Sequence, residues 1–123
     1  MKILIIGANS AIGIRLSKFL KAIDSSYKII GIDFTEQINE DCNEFLRIDV
    51  LNLMREQRLF LLDKYIEASD RIILLSAAVH DKNIGKHLYR DLNTILPEKL
   101  YTKTSEIKGR NAQFIFFSTI AVY

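Results

Sequence analysis

The sequence predicts an α/β fold, a doubly wound parallel sheet with strand order 3-2-1-4-5 and helices on both faces. Three observations carry this expectation. Short apolar runs of strand length recur at 1–6, 28–33, 45–50, 71–77 and 114–118, and uninterrupted apolar runs suit parallel strands buried on both faces. Stretches with apolar residues at helical spacing lie between most of them, and strands alternating with helices form parallel sheets because each parallel pair needs a crossover. Finally, a glycine-bearing stretch, GANSAIG at 7–13, joins the first strand to the first helix.

Each element has its own justification. Met1–Ile6 is the first strand. Ile12, Leu16, Phe19, Leu20 and Ile23 recur at helical spacing and predict an amphipathic first helix with that face inward. Lys28–Asp33 (KIIGID) is the second strand, 36–44 reads as a polar loop, and Phe45–Val50 (FLRIDV) is the third strand. Asn52 suits the cap of a helix running to about Ala68, with Leu59, Leu62 and Ile66 inward. Arg71–Ala77 (RIILLSA) is the fourth strand, and Ile84, Leu88, Leu92 and Ile95 mark a further helix. Pro97 lacks an N–H and clashes with the preceding turn, so a break near Leu96 is expected, with a second segment to about Ile107. Gly109 suits its end, and Phe114–Ser118 (FIFFS) is the fifth strand.

Composition sets the outer limits. At 123 residues the chain is expected to form one domain, 1–123. Hydrophobic residues are 49% and charged residues 26% of the sequence, the balance of an ordinary soluble globular protein. The formal net charge of +2, spread among acids, argues against a nucleic-acid surface. No apolar stretch reaches the roughly 18 residues of a membrane span, and no secretory signal is visible. The single cysteine, Cys42, cannot form an internal disulfide, which suits a reducing cytoplasm; it reads as a semi-buried loop thiol. His80 and His87 stand near Asp81 without a third ligand at suitable spacing, so they read as surface histidines and no metal is expected.

The turn at 7–13 has the context that gives it meaning, after a strand and before a helix. In such G-x-x-G-x-x-G turns the first glycine makes the tight turn and the last lets helix and strand pack closely. The middle one lets the backbone approach a pyrophosphate resting on the helix N-terminus. Gly7 and Gly13 fill the outer roles, and Ser10 holds the middle one, where its hydroxyl could donate to a phosphate oxygen. A corner that uses glycine for geometry alone stays open as the alternative. Asp33 ends the second strand, 20 residues after Gly13, where an acid accepts from adenine-ribose hydroxyls. It would repel a 2′-phosphate, and no arginine closely follows it, so NAD is favoured over NADP.

The ordered set of motifs resembles the cofactor-binding part of the extended short-chain dehydrogenase/reductase family, the NAD-dependent epimerases and dehydratases of nucleotide-sugars. GANSAIG resembles the family's glycine turn and Asp33 its ribose acid. Asp49 and Val50 match the pair that ends the third strand beside the adenine, and Ser76, Ala77 and Ala78 the segment that lines the dinucleotide at the end of the fourth. Tyr89 and Asn93 resemble the start of the next helix, and FFSTIAVY the fifth-strand signature, with Thr119 at the catalytic Ser/Thr position. The resemblance thus implies cofactor contacts at Gly7, Asn9, Ser10, Ala11, Ile12, Gly13, Asp33, Phe34, Asp49, Val50, Ser76, Ala77, Ala78 and Asn93, with catalytic Thr119.

The sequence also departs from the family. Ser10 replaces a glycine, and the glycine expected soon after Asn93 is absent. The family's Tyr-x-x-x-Lys pair is missing, since Tyr27, Tyr65, Tyr89 and Tyr101 lead four residues later to Gly31, Ser69, Asn93 and Ser105. The resemblance therefore implies a truncated chain: the NAD-binding part of a nucleotide-sugar epimerase or dehydratase, inactive alone. A stand-alone NAD-binding or sensing module and a non-functional remnant are the alternatives. Loss of the family's next strand would leave the fifth as an apolar edge, so a homo-oligomer through that edge is expected.

Overall fold

The computed structural model describes residues 1–75 and 85–117. The elements run β1 (Lys2–Ile6), α1 (Ala11–Ile23), β2 (Lys28–Asp33), β3 (Glu44–Arg47), α2 (Val50–Arg55), a 3₁₀ turn (Leu59–Leu62), α3 (Asp63–Ala68) and β4 (Arg71–Leu74). They continue through α4 (Lys86–Arg90), a π-helical turn (Asp91–Ile95), α5 (Leu96–Lys108), a second 3₁₀ turn (Gly109–Asn111) and β5 (Phe114–Phe116). The five strands form one sheet in the order β3-β2-β1-β4-β5, all parallel. This is the predicted architecture, a Rossmann-like fold. Ile84 and Ser118, expected in the fourth helix and fifth strand, lie outside the described residues.

The period-two alternation of strand side chains divides the core between two faces. Leu4, Ile6, Ile30, Ile32, Ile72 and Leu74 point to one side, packed with Val50, Met54, Leu62 and Ile66 and with Leu96 and Leu100 of α5. Ile3, Ile5, Ile29, Ile73 and Leu75 point to the other, where Leu16 and Leu20 of α1 and Cys42 cover them. Helices on opposite faces make the sheet doubly wound.

Several boundaries differ from the sequence reading, each for a local reason. The inward face of α1 is Gly13, Leu16, Ser17 and Leu20, while Ile12, Phe19 and Ile23 are exposed. Both stripes have helical spacing, and closeness of approach decides between them. A Cβ on Gly13 would stand 2.7 Å from the carbonyl oxygens of Gly7 and Ala8, so only small residues fit where α1 rests on the turn. The third strand stops at Arg47 because Asp49 caps α2, accepting from the Asn52 N–H at 3.1 Å; Val50 opens that helix instead of ending the strand. The cap is therefore Asp49 and not Asn52. The helix expected to reach Ala68 is broken after Arg55, with Gln57 at φ 58°, and resumes as the 3₁₀ turn and α3. Leu59, Leu62 and Ile66 remain buried as expected. The break at Pro97 takes the form of the π-helical turn directly ahead of it, with Pro97 in the first turn of α5. Gly109 ends that helix at φ 59°.

Candidate functional site

β1 is flanked by β2 on one side and β4 on the other, so connections leave its carboxyl end in opposite directions and open a crevice there. A cleft of about 550 Å³ occupies the position. It is lined by Gly7, Asn9 and Ser10 of the turn, by Asp33, Phe34, Thr35 and Ile38, by Ile48–Leu51, by Leu88, Leu92 and Leu96, and by Ile6, Ile32 and Leu75 at the strand ends.

The turn's backbone groups can be accounted for one at a time. Gly7, at φ 94°, adopts a conformation that suits glycine, and the N–H groups of Gly7 and Ala8 both donate to Ile32 O. Asn9 N–H donates to Asp33 Oδ2 at 2.9 Å, and Ser10 N–H to Gly7 O. Ser10 is the N-cap of α1: its Oγ accepts from Gly13 N–H at 3.0 Å and donates to Gly7 O at 2.8 Å. The N–H groups of Ala11 and Ile12 are left without an acceptor among the described residues. They stand at the positive end of a 13-residue helix, an arrangement that favours an anion. The Ser10 hydroxyl, read from sequence as a phosphate donor, has its proton engaged by Gly7 instead.

Asp33 sits at the end of β2 with one carboxylate oxygen accepting from Asn9 N–H and the other from Phe34 N–H at 2.8 Å. Each oxygen retains lone-pair capacity for a hydroxyl donor. Arg47, far along the sequence, is brought beside Asp33 by the β2–β3 register. Its Nε donates to Phe34 O, and its guanidinium stands 3.8 Å from Glu36. The sequence reading found no arginine near Asp33 because this one arrives across the sheet.

The segment after Asp33 is fastened by two asparagines. The Asn9 amide donates to Thr35 Oγ1 and Glu36 O, each at 2.8 Å, and its oxygen accepts from Ile38 and Asn39 N–H. Asn39 is fully buried. Its amide donates to Ala8 O at 2.8 Å and Ser17 Oγ at 2.9 Å, and its oxygen accepts from Asp41 N–H. The sequence reading passed over Asn39 because one buried polar residue in a polar stretch leaves no periodic signal.

Of the remaining candidates, Asp49 and Val50 line the cleft from the start of α2. Asn93 is half-buried in the π-helical turn, whose neighbours Leu92 and Leu96 line the cleft. Ser76, Ala77, Ala78 and Thr119 lie outside the described residues. Burial, reinforced by Asp41, pushes the Cys42 thiol up to about 11, so it is a poor nucleophile. Among the described residues no three His, Cys, Asp or Glu side chains gather as a metal would need, and no helix is long and apolar enough to cross a membrane. The described groups can seat an anion on the turn, hydroxyls on Asp33 and a flat apolar ring against the wall.

Fold and crevice together place the chain among Rossmann-like folds. No family model and no curated protein matches it. Among solved structures it is similar to UDP-glucuronic acid 4-epimerase from Bacillus cereus, in complex with UDP-glucuronic acid and NAD, at 27% identity and a TM-score of 0.72, over 100% of this chain and 41% of that one. It is also similar to L-threonine dehydrogenase from Clostridium difficile, at 25% identity and a TM-score of 0.68, over 94% of this chain and 35% of that one. The ADP-L-glycero-D-manno-heptose-6-epimerase of Helicobacter pylori superposes with a TM-score of 0.77 over 99% of this chain and 40% of that one; at 20% identity it speaks to the fold alone. The resemblance to the extended short-chain dehydrogenase/reductase family is borne out by the two neighbours at 25% identity or more. The chain spans about two-fifths of the length of the two epimerases.

Proposed function

We propose that these 123 residues are the NAD-binding part of an NAD-dependent epimerase or dehydratase acting on nucleotide-sugars. The observation that carries the reading is the pairing of Asp33 with the turn. Its carboxylate is oriented by Asn9 N–H, next to the helix end where the Ala11 and Ile12 N–H groups have no acceptor among the described residues. That donor set fits a dinucleotide: two N–H groups for the pyrophosphate, a carboxylate for the ribose hydroxyls, and Ile38, Ile48, Val50 and Leu51 for the adenine face. Gly13 belongs to the same cradle, since a Cβ there would collide with the turn. NAD, when bound, supplies a hydride acceptor for a sugar carbon. The chain's own residues bind and orient it, and Asp33 disfavours a 2′-phosphate by charge. Neighbouring Arg47 faces Glu36, which offsets its attraction for such a phosphate.

In this reading Ser76, Ala77, Ala78 and Asn93 also contact the dinucleotide, and Thr119 hydrogen-bonds the reacting hydroxyl. An alcohol of high pKa cannot serve as the base that takes that hydroxyl's proton, so the 123 residues bind NAD without turning over a nucleotide-sugar. The single cysteine, unable to form an internal disulfide, suits the reducing cytoplasm that this reading expects. Titration calorimetry should show NAD binding more tightly than NADP, with Asp33→Ala weakening NAD by about 1–3 kcal/mol, the scale of charge-assisted hydrogen bonds. Equal affinities for the two nucleotides would overturn the role of Asp33, and binding of neither would overturn the site. Incubation with NAD and UDP-, GDP- and dTDP-sugars should leave the sugars unchanged by mass spectrometry.

A further inference from the structure

Residues 34–39 carry part of the cleft wall and form neither helix nor strand. Phe34 and Ile38 are 64% and 62% exposed, so the wall presents apolar side chains to solvent beside Asp33. An irregular segment with such residues gains by collapsing over them unless something holds it open. Burial of its own apolar atoms does not hold it. Asn9 fastens it from the cleft side, at Thr35, Glu36, Ile38 and Asn39, and a second fastening comes from below, through Asn39, whose side chain is absent from the cleft lining.

Both N–H bonds of the Asn39 amide are used, one on Ala8 O at 2.8 Å and one on Ser17 Oγ at 2.9 Å. Ser17 in turn donates to Gly13 O at 2.8 Å. The Asn39 carbonyl oxygen accepts from Asp41 N–H, and Gln37 Nε2 donates to Asn39 O at 2.7 Å. One side chain thereby joins the segment after β2 to Ala8 within the turn and to the buried face of α1. We propose that Asn39 is a positioning residue that fixes the nucleoside-side wall of Phe34, Thr35 and Ile38 relative to the glycine turn before any ligand arrives. The proposal rests on the NAD reading of the cleft and deepens it. Preorganisation raises affinity by removing the ordering cost from the binding step. Other side chains fit the space less well: aspartate has no N–H for Ala8 O, and alanine leaves that carbonyl and Ser17 Oγ short of a buried donor.

The test compares wild type with Asn39→Ala in two measurements. In the first, amide hydrogen exchange of the ligand-free chains is followed. Asn39→Ala should speed exchange at residues 34–41 while β1 and β2 stay protected, and unchanged exchange at 34–41 overturns the latch. In the second, calorimetry with NAD and with AMP, which carries the adenosine and one phosphate without the nicotinamide half, should show both weakened by the same factor of about ten, the size of one buried hydrogen bond. A lower melting temperature with unchanged affinities would mean that Asn39 serves the fold only, and would overturn the proposal. A loss confined to NAD, with AMP unaffected, would overturn it too. Wild type that takes up neither nucleotide overturns the reading of the site itself, a result distinct from the others because no variant is involved. Should Asn39→Ala fail to fold, Asn39→Ser, which keeps one donor and one acceptor, carries the same comparisons with smaller changes expected.

Discussion

Ser10 stands at the middle of the glycine turn, and its hydroxyl bridges the ends of that turn. It accepts from Gly13 N–H and donates to Gly7 O, so the cap holds the first turn of α1 closed without a ligand. Removing the hydroxyl leaves the Gly13 donor unsatisfied at a buried residue. Ser10→Ala should therefore cost about 0.5–2 kcal/mol of stability, the usual loss for an N-cap, read as a lower midpoint in urea unfolding. A midpoint equal to wild type would show that water replaces the cap at no cost. The residue types at the turn and Asp33 were legible in the sequence because their spacing is dictated by backbone geometry. Their hydrogen-bond partners were not. Asn39 and Arg47 reach the site through a buried loop contact and a strand register, and neither leaves a local pattern.

At the scale of elements, the strands read clearly because buried parallel strands are apolar throughout, and β2 matches its expected bounds. Helix faces and ends read less well. The stripe of Ile12, Phe19 and Ile23 competes with one of smaller residues, and only the closeness of α1 to Ala8 O selects the latter. Asp49 and Asn52 are both good caps, and the earlier one prevails. Pro97 was legible as a break, but its form was not. Without an N–H, Pro97 offers no donor to the Asn93 carbonyl, and the backbone widens so that Leu96 N–H reaches Asp91 O, five residues back. This extra residue sets the rotation of α4 relative to α5 and keeps Leu88 and Leu92 on the cleft with Leu96. The Arg55–Asp91 ion pair at 3.0 Å holds the turn against α2. Pro97→Ala restores the donor and lets the turn tighten to an α-helix, turning Leu88 and Leu92 by about 100°, one residue of helix. The expected outcome is undiminished helical circular dichroism and thermal stability together with weaker NAD binding. Unchanged affinity would show that the cleft does not depend on the wide turn.

The whole molecule has two sheet edges of different character. On one side β3 is short, with Glu44 and Arg47 exposed at its ends, and charged residues of this kind discourage further pairing. On the other side β5 pairs only with β4 among the described residues, and its side chains are apolar. Ile115 is 43% and the following Phe117 42% exposed, with Phe114 and Phe116 half-buried beside them. An edge strand with open N–H and C=O groups and an apolar surface is a template for another strand. Nothing charged lies within Phe114–Phe116 to oppose this. The chain of 123 residues should therefore self-associate through β5, with the average mass in sedimentation equilibrium rising with protein concentration. Ile115→Lys places a charge on the exposed side of that strand, where it costs the sheet little and penalises a second strand laid against it. This variant should remain monomeric while keeping wild-type NAD affinity, because the cleft lies at the carboxyl ends of β1 and β4, away from Ile115. Association that persists unchanged in Ile115→Lys would move the contact elsewhere on the surface, and a wild-type chain that stays monomeric at its solubility limit would show that the edge is already protected.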